Sequence, residues 1–328
     1  MDDQHLYDIT VIGAGPSGLF ATFYAGLRSA DVQLIESLPE LGGQVAALFP
    51  EKIIYDVGGF TNINGTQLIA KLAKQTMHFK PILKLNTEVQ MITRDNDGYY
   101  TLTTNQGTTR SKTIIIAIGK GAFTPRKLLA NYDPAIENHK LFYYVSKNAT
   151  FKDQIIAIAG GGDTAIDTAI SLLPFAKQIH LIHRRDNFRG LESAVAHLQQ
   201  HPNVIMHTPY LIKEIDDGQQ ITLHLDKVRS DEKTTLTVDK LIVGYGFVAD
   251  NRILRQWGIN LQHNEVIVNQ KMETNLPGIY AIGDAVTYPG KMQLIATGFG
   301  EAPIAVNEAL EYLYPHQKHR IHSTDLYH

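Results

Sequence analysis

Cysteine is absent from all 328 residues. That excludes disulfide frameworks, C-x-x-C redox relays, thiol nucleophiles, cysteine-ligated iron–sulfur clusters and zinc knuckles, so any redox chemistry must run on a bound cofactor. An excess of positive charge is missing too: 30 Lys and Arg face 33 Asp and Glu, a formal charge of -3. Without a global basic field, nucleic acid is not an expected partner. Long hydrophobic runs are lacking. The longest resemble Thr113–Ile118 and stop at glycine, well short of the ~20 residues that span a bilayer. The opening Met1-Asp2-Asp3 has neither the basic segment nor the apolar core of a signal peptide. A cytoplasmic protein with no membrane partner is the expectation.

What the chain does have is length for about two domains at ~150 residues each, with 44% hydrophobic residues to fill them. One long-range pattern occurs twice. Residues 7–36 and 155–185 each read as a short β-branched run, a glycine-rich turn, a helix with small residues on one side, and a second β-branched run. This is a βαβ unit with parallel strands. Between the two copies, residues 82–118 alternate in strand fashion, with turn signals at Asp97-Gly98 and Asn105-Gln106-Gly107. A similar stretch from Ile221 to Gly246 follows the second copy. The fold class predicted is α/β with two Rossmann-like dinucleotide-binding domains, each a three-layer ββα arrangement.

The first turn is G-x-G-x-x-G after the strand Ile9–Ile12. Gly13 permits the tight turn, Gly15 lets a diphosphate approach the backbone, and Gly18 allows close helix–strand packing. The diphosphate would sit at the positive helix N-terminus. Glu36 follows Gly18 by 18 residues, at the end of the second strand, where a carboxylate accepts from ribose hydroxyls. The second turn, Gly160-x-Gly162-x-x-Ala165, leads instead to Arg184, Arg185 and Arg189 in His183–Arg189. An acid there would repel a 2′-phosphate; forked guanidinium hydrogen bonds bind one. One acid-ended site and one arginine-ended site divide the labour between FAD and NADPH.

The fingerprints with GGGDTA and HRRDNFR, together with the late GIYAIGDA, resemble the flavoprotein family that includes thioredoxin reductase, here without its C-x-x-C. The closer similarity is to the thioredoxin-reductase-like ferredoxin–NADP reductases of bacteria. It rests on ESLPELGGQ followed by LFPEK, on GKGAFTPRK, on MQLIATGFGEAP and on the terminal His322-Ser323-Thr324, over essentially the whole chain. The resemblance implies a discontinuous FAD domain (residues 1–119 and 246–328) with an inserted NADPH domain (120–245). It implies FAD contacts at Ser17, Glu36, Gln44, Phe49, Val89, Phe123, Asp284 and Thr324, and an NADPH turn that includes Asp163. Phe49 stands where the group stacks a tyrosine on the flavin; His322 would cover the other face. No metal site is implied.

The function implied is electron transfer between NADPH/NADP+ and ferredoxin or flavodoxin through FAD, a hydride in and single electrons out, by a homodimer. Lys52, Lys120, Arg126 and Lys127, with Lys318 and Arg320 on the tail, are the candidate basic patch for an acidic protein carrier. Other readings are an NADPH-dependent flavin or quinone reductase, an oxidase, and a non-catalytic redox sensor that binds dinucleotides.

Overall fold

The computed structural model describes residues 5–145, 148–250 and 252–316. The chain divides into two compact units, residues 1–123 with 249–328, and residues 124–248. The segments that pass between them, Ala122–Pro125 and Phe247–Asp250, pair with each other as a two-stranded ribbon.

The first unit is built on the strand Leu6–Ile12. Its residues Ile9, Thr10, Val11 and Ile12 are all buried, the near-continuous burial of a parallel strand covered on both faces. It pairs in parallel with Val32–Ile35 on one side, Ile9 opposite Val32, and with Gly107–Ile116 on the other, Ile9 opposite Thr113. Ile82–Lys84 extends the sheet beyond Val32–Ile35. The ten-residue strand Gly107–Ile116 serves two partners. Its first half pairs antiparallel with Tyr100–Thr104, and its last three residues pair in parallel with Ile279–Ala281. The meander read from alternation in residues 82–118 is thus an antiparallel extension of the parallel sheet, completed by Val89–Arg94.

Helix α1 (Pro16–Leu27) opens with proline at its first position and buries Leu19, Ala21, Phe23 and Ala25. It packs between α3 (Gly65–Thr76) and α7 (Ile295–Leu313). The start of α3 is fixed by a reciprocal capping box between Asn64 and Gln67. Shorter helices α2 (Gly43–Leu48) and α6 (Arg252–Gln256) complete this unit.

The second unit repeats the plan. Its five-stranded parallel sheet runs in the order Leu141–Phe142, Lys240–Val243, Ile155–Ala159, Gln178–Ile182, Val204–His207. Strand alternation divides two cores here. Ile156 and Ile158 face Ala165, Ile166, Ala169 and Leu172 of helix α4 (Asp163–Leu172) and Leu198 of α5 (Glu192–Gln200). Ala157 and Ala159 face the other way, into a core shared with Ile221, Leu223 and Leu225 of a three-stranded antiparallel sheet, Tyr210–Asp216, Ile221–Lys227, Lys233–Val238. Among the described residues no helix is long and apolar enough to cross a membrane.

Candidate active site

The glycines of the first turn do different work. Gly13 has φ +102°, and a Cβ there would lie 2.5 Å from the Ala117 carbonyl oxygen. On Gly18 it would lie 1.8 Å from the Gly13 carbonyl oxygen. Both glycines therefore serve the chain's own close packing. A Cβ on Gly15 would meet nothing within 4 Å. Gly15 is also the N-cap of α1 and offers no side-chain cap, so the first-turn amides stand over an open cradle, the arrangement that takes a diphosphate.

Glu36 is buried at the end of Val32–Ile35 and is tied to that cradle. Its Oε2 accepts from the Ala14 N–H at 2.7 Å, and its Oε1 accepts from the Leu38 N–H at 2.9 Å and the Ser37 hydroxyl at 3.1 Å. Three of about four acceptor positions are used, which fixes the carboxylate and leaves room for a ligand hydroxyl. The Thr87 N–H donates to the Glu36 carbonyl at 2.8 Å, which brings the strand beginning at buried Val89 alongside.

The Gly42-Gly43 turn closes on the same loop: the Gly42 N–H donates to the Ala14 carbonyl at 2.8 Å, and a Cβ on Gly43 would lie 3.1 Å from the Gly15 Cα. Gln44 follows in α2, its Nε2 3.9 Å from where a Cβ on Gly119 would be. Phe49 ends α2, half-buried, with the Lys52 ammonium 5.6 Å from its ring centre. Ser17 sits against Gly283 and Gly298; a Cβ on Gly298 would lie 2.1 Å from the Ser17 hydroxyl. Beside Gly283, the half-buried Asp284 carboxylate has no hydrogen-bond partner among the described residues. Burial pushes it above the usual carboxylate range, against the pull of Lys120 and Lys291.

Gly13, Gly15, Ser17, Gly18, Glu36, Gln44 and Asp284 are thus linked through neighbouring contacts. Phe123 lies in the strand Ala122–Pro125. His322 and Thr324, with Lys318 and Arg320, lie outside the described residues. The cradle, the fixed acid and the unpartnered acid match what a dinucleotide presents: phosphates for N–H groups and hydroxyls for carboxylates.

The second unit holds a cavity of about 370 Å³ lined by Gly160, Gly161, Gly162, Thr164, Arg184 and Arg189, among others. Gly160 has φ +149°, and a Cβ there would lie 2.5 Å from the Gly244 carbonyl oxygen. Ala165 is fully buried because Gly244 presses on it: a Cβ on Gly244 would lie 2.8 Å from the Ala165 Cα. Gly162, like Gly15, is open. The Arg189 N–H donates to the Gly161 carbonyl at 2.6 Å, tying the arginine run to the glycine turn. Arg184 and Arg189 are exposed on the cavity wall, and neither has an ion-pair partner among the described residues. Asp163 and Arg185 are exposed and do not line it; Thr164 does.

His183 on the wall is buried, its ring 5.2 Å from that of Phe188. Burial holds it below the usual histidine range; a hydrogen bond with Asn187 opposes this and the charges of Arg184, Arg189 and Arg185 reinforce it.

Thr164 and Tyr245, which the sequence alone does not single out, also line the cavity. Tyr245 follows the strand Lys240–Val243 in Gly244-Tyr245-Gly246, and that post-strand glycine pair was its only signal. The candidate basic patch is largely engaged. Lys120 pairs with Glu265 at 2.6 Å, Lys127 with Glu137 at 2.6 Å, Lys52 lies over Phe49, and Arg126 lines the second unit's cavity.

A family model for pyridine nucleotide-disulphide oxidoreductases matches residues 7–309. The chain belongs to that family. It is 55% identical to a ferredoxin–NADP reductase of Lacticaseibacillus paracasei over the full length of both chains. It is 54% identical to a ferredoxin–NADP reductase 2 of Latilactobacillus sakei over 99% of each. Among solved structures, a thioredoxin reductase of Lactococcus lactis superposes with a TM-score of 0.80 at 25% identity, over 94% of this chain and 99% of that one. Family membership and the thioredoxin-reductase-like α/β fold bear out the resemblance read from the sequence, and make the protein an oxidoreductase.

Proposed function

We propose that this chain is an FAD-dependent ferredoxin–NADP reductase. FAD is held in the first unit at the Gly13–Gly18 turn, and NADP(H) in the second at the Gly160–Ala165 turn. The observation that carries the reading is the pairing of two open glycine cradles, one ending in Glu36 and one in Arg184 and Arg189, within a chain that has no cysteine. A disulphide-reducing relative passes electrons on through thiols; here no thiol can receive them, and they must leave from the cofactor to an outside carrier.

Bound FAD supplies the two-electron to one-electron conversion that such a transfer needs. The chain's own groups do the rest. The first-turn amides of α1 hold phosphate, Glu36 and Asp284 accept from hydroxyls, and Phe49 offers a ring for stacking. Arg184 and Arg189 clamp the 2′-phosphate that distinguishes NADPH from NADH. His183, kept neutral by burial, packs beside them without adding charge. We assign a homodimer, a cytoplasmic location, and ferredoxin or flavodoxin as carriers on the same reading, with His322 and Thr324 as tail contacts to the flavin.

The test is anaerobic reduction of the purified yellow protein by NADPH, followed by comparison of ferredoxin, flavodoxin, quinone and oxygen as acceptors. Fast bleaching of the flavin and fastest turnover with ferredoxin or flavodoxin are expected. Preferential turnover with quinone or oxygen would replace the reading by that of a small-molecule reductase. A flavin that NADPH cannot bleach would leave only a dinucleotide-binding sensor.

A further inference from the structure

Helix α7 buries a glutamate among alanines: Glu301 is 3% exposed, with Ala302 and Ala305 beside it at 0%. Both of its carboxylate oxygens are engaged. Oε2 accepts from the Gly283 N–H at 2.6 Å; Oε1 accepts from the Tyr288 hydroxyl at 2.6 Å and from the Lys291 ammonium at 2.5 Å. The Lys291 side chain is only 5% exposed, so the ion pair is withdrawn from water on both sides. Burying two charges returns little net stability, whereas removing one partner strands the other. Such a pair is better understood by what it orients.

It orients the turn Gly283–Ala285. Gly283 has φ +71° and packs against Ser17 of the α1 first turn, and Glu301 binds its N–H. The next residue is Asp284, whose carboxylate has no hydrogen-bond partner among the described residues. A second ion pair flanks the same aspartate: Glu265 Oε1 accepts from Lys120 at 2.6 Å and from the Gln293 amide at 2.8 Å. Asp284 therefore feels two cations, Lys120 and Lys291, and two anions, Glu301 and Glu265, arranged as two neutral pairs.

We propose that Lys291 and Glu301 are positioning residues for the flavin cofactor, clamping the Gly283–Ala285 turn so that Asp284 is presented to FAD. The inference rests on the FAD reading above. Removing Lys291 leaves Glu301 as an uncompensated anion behind Asp284, which favours protonation of Asp284 and weakens its grip on a hydroxyl. Removing both charges takes that repulsion away.

The test is FAD release from holoprotein on dilution, followed by flavin fluorescence between pH 8 and pH 6, in wild type, Lys291→Met, Lys291→Arg and the double variant Lys291→Met/Glu301→Gln. Lys291→Met should release FAD about tenfold faster, as expected when a buried charged hydrogen bond is lost, with a defect that grows as pH falls. Lys291→Arg should stay close to wild type. The double variant should recover most of the loss and a flat pH profile, because neighbouring sites couple.

Release rate and pH profile unchanged in Lys291→Met would overturn the proposal, as would a double variant that releases FAD as fast as Lys291→Met or faster. Should Lys291→Met not fold, Tyr288→Phe removes a single oxygen from the cluster. It should speed release about threefold, the smaller effect of one neutral hydrogen bond, and no change there overturns the clamp. Wild-type protein that binds no FAD would instead overturn the functional reading itself.

Discussion

Lowering the pH from 7 to 5 should loosen the second unit through a buried histidine, His180, and the half-buried His207 beside it. His180, in the strand Gln178–Ile182, is 6% exposed. Its Nε2–H donates to the Gln178 amide oxygen at 3.1 Å, which leaves Nδ1 as an acceptor for the His207 Nε2–H on the neighbouring strand at 2.8 Å. The two rings stack with centroids 5.1 Å apart. A second proton on His180 would set donor against donor at a position that is only 6% exposed. Burial, and then the His207 ring, push His180 down to about 4, and burial lowers His207 as well. In the unfolded chain a histidine titrates near 6.5. Between those values the unfolded state binds a proton that the folded state refuses. The stabilisation is therefore complete above pH 6.5 and is lost as the pH falls toward 4. For His180 alone this amounts to about 2 kcal/mol between pH 7 and pH 5, or roughly 4–8 °C in unfolding temperature for a domain of this size. The assay is calorimetric unfolding of wild type and His180→Gln across that range, comparing slopes so that the shared titration of surface carboxylates cancels. Parallel curves would refute the reasoning, as would an NMR titration of His180 near 6.5.

The two open glycines and the two packed ones separate ligand binding from folding. Gly18→Ala drives a Cβ into the Gly13 carbonyl and should destabilise the first unit by at least 2 kcal/mol, the scale of core overpacking, read by thermal unfolding with and without FAD. Gly15→Ala fits the free chain, so it should unfold at about the wild-type temperature while losing FAD; equal stability loss in both variants would contradict this division. Arg184→Ala should weaken NADPH by about 10- to 100-fold, the range for a charge-assisted hydrogen bond. NADH binding should be unaffected in the same titration, and an equal loss for both nucleotides would remove Arg184 from the 2′-phosphate.

The features legible in the sequence are those in which local chemistry and fold agree. Glycine spacing, the residue at the end of the second strand and period-two alternation each arise from backbone sterics that act within one βαβ unit, so the places of Gly13, Gly18, Glu36, Gly160 and Ala165 are readable without a fold in hand. Residues brought together over long sequence separations are silent. Glu301 sits in an ordinary helical run, and nothing local shows that Gly283, Tyr288 and Lys291 converge on its carboxylate. Tyr245 and Thr164 share the cavity with Arg184 only after the parallel sheet has assembled. The basic patch shows the same, since two of its lysines, Lys120 and Lys127, are already ion-paired. Charges counted along the chain take no account of partners, and Glu265 and Glu137, each supplied by a distant or folded-back segment, engage Lys120 and Lys127. Charge signs are therefore readable at strand ends, where geometry is local and repeated, and unreadable in loops, where pairing is decided by the tertiary fold. Docking of a ferredoxin should accordingly depend on cations that the fold leaves outside such pairs, and not on Lys120 or Lys127.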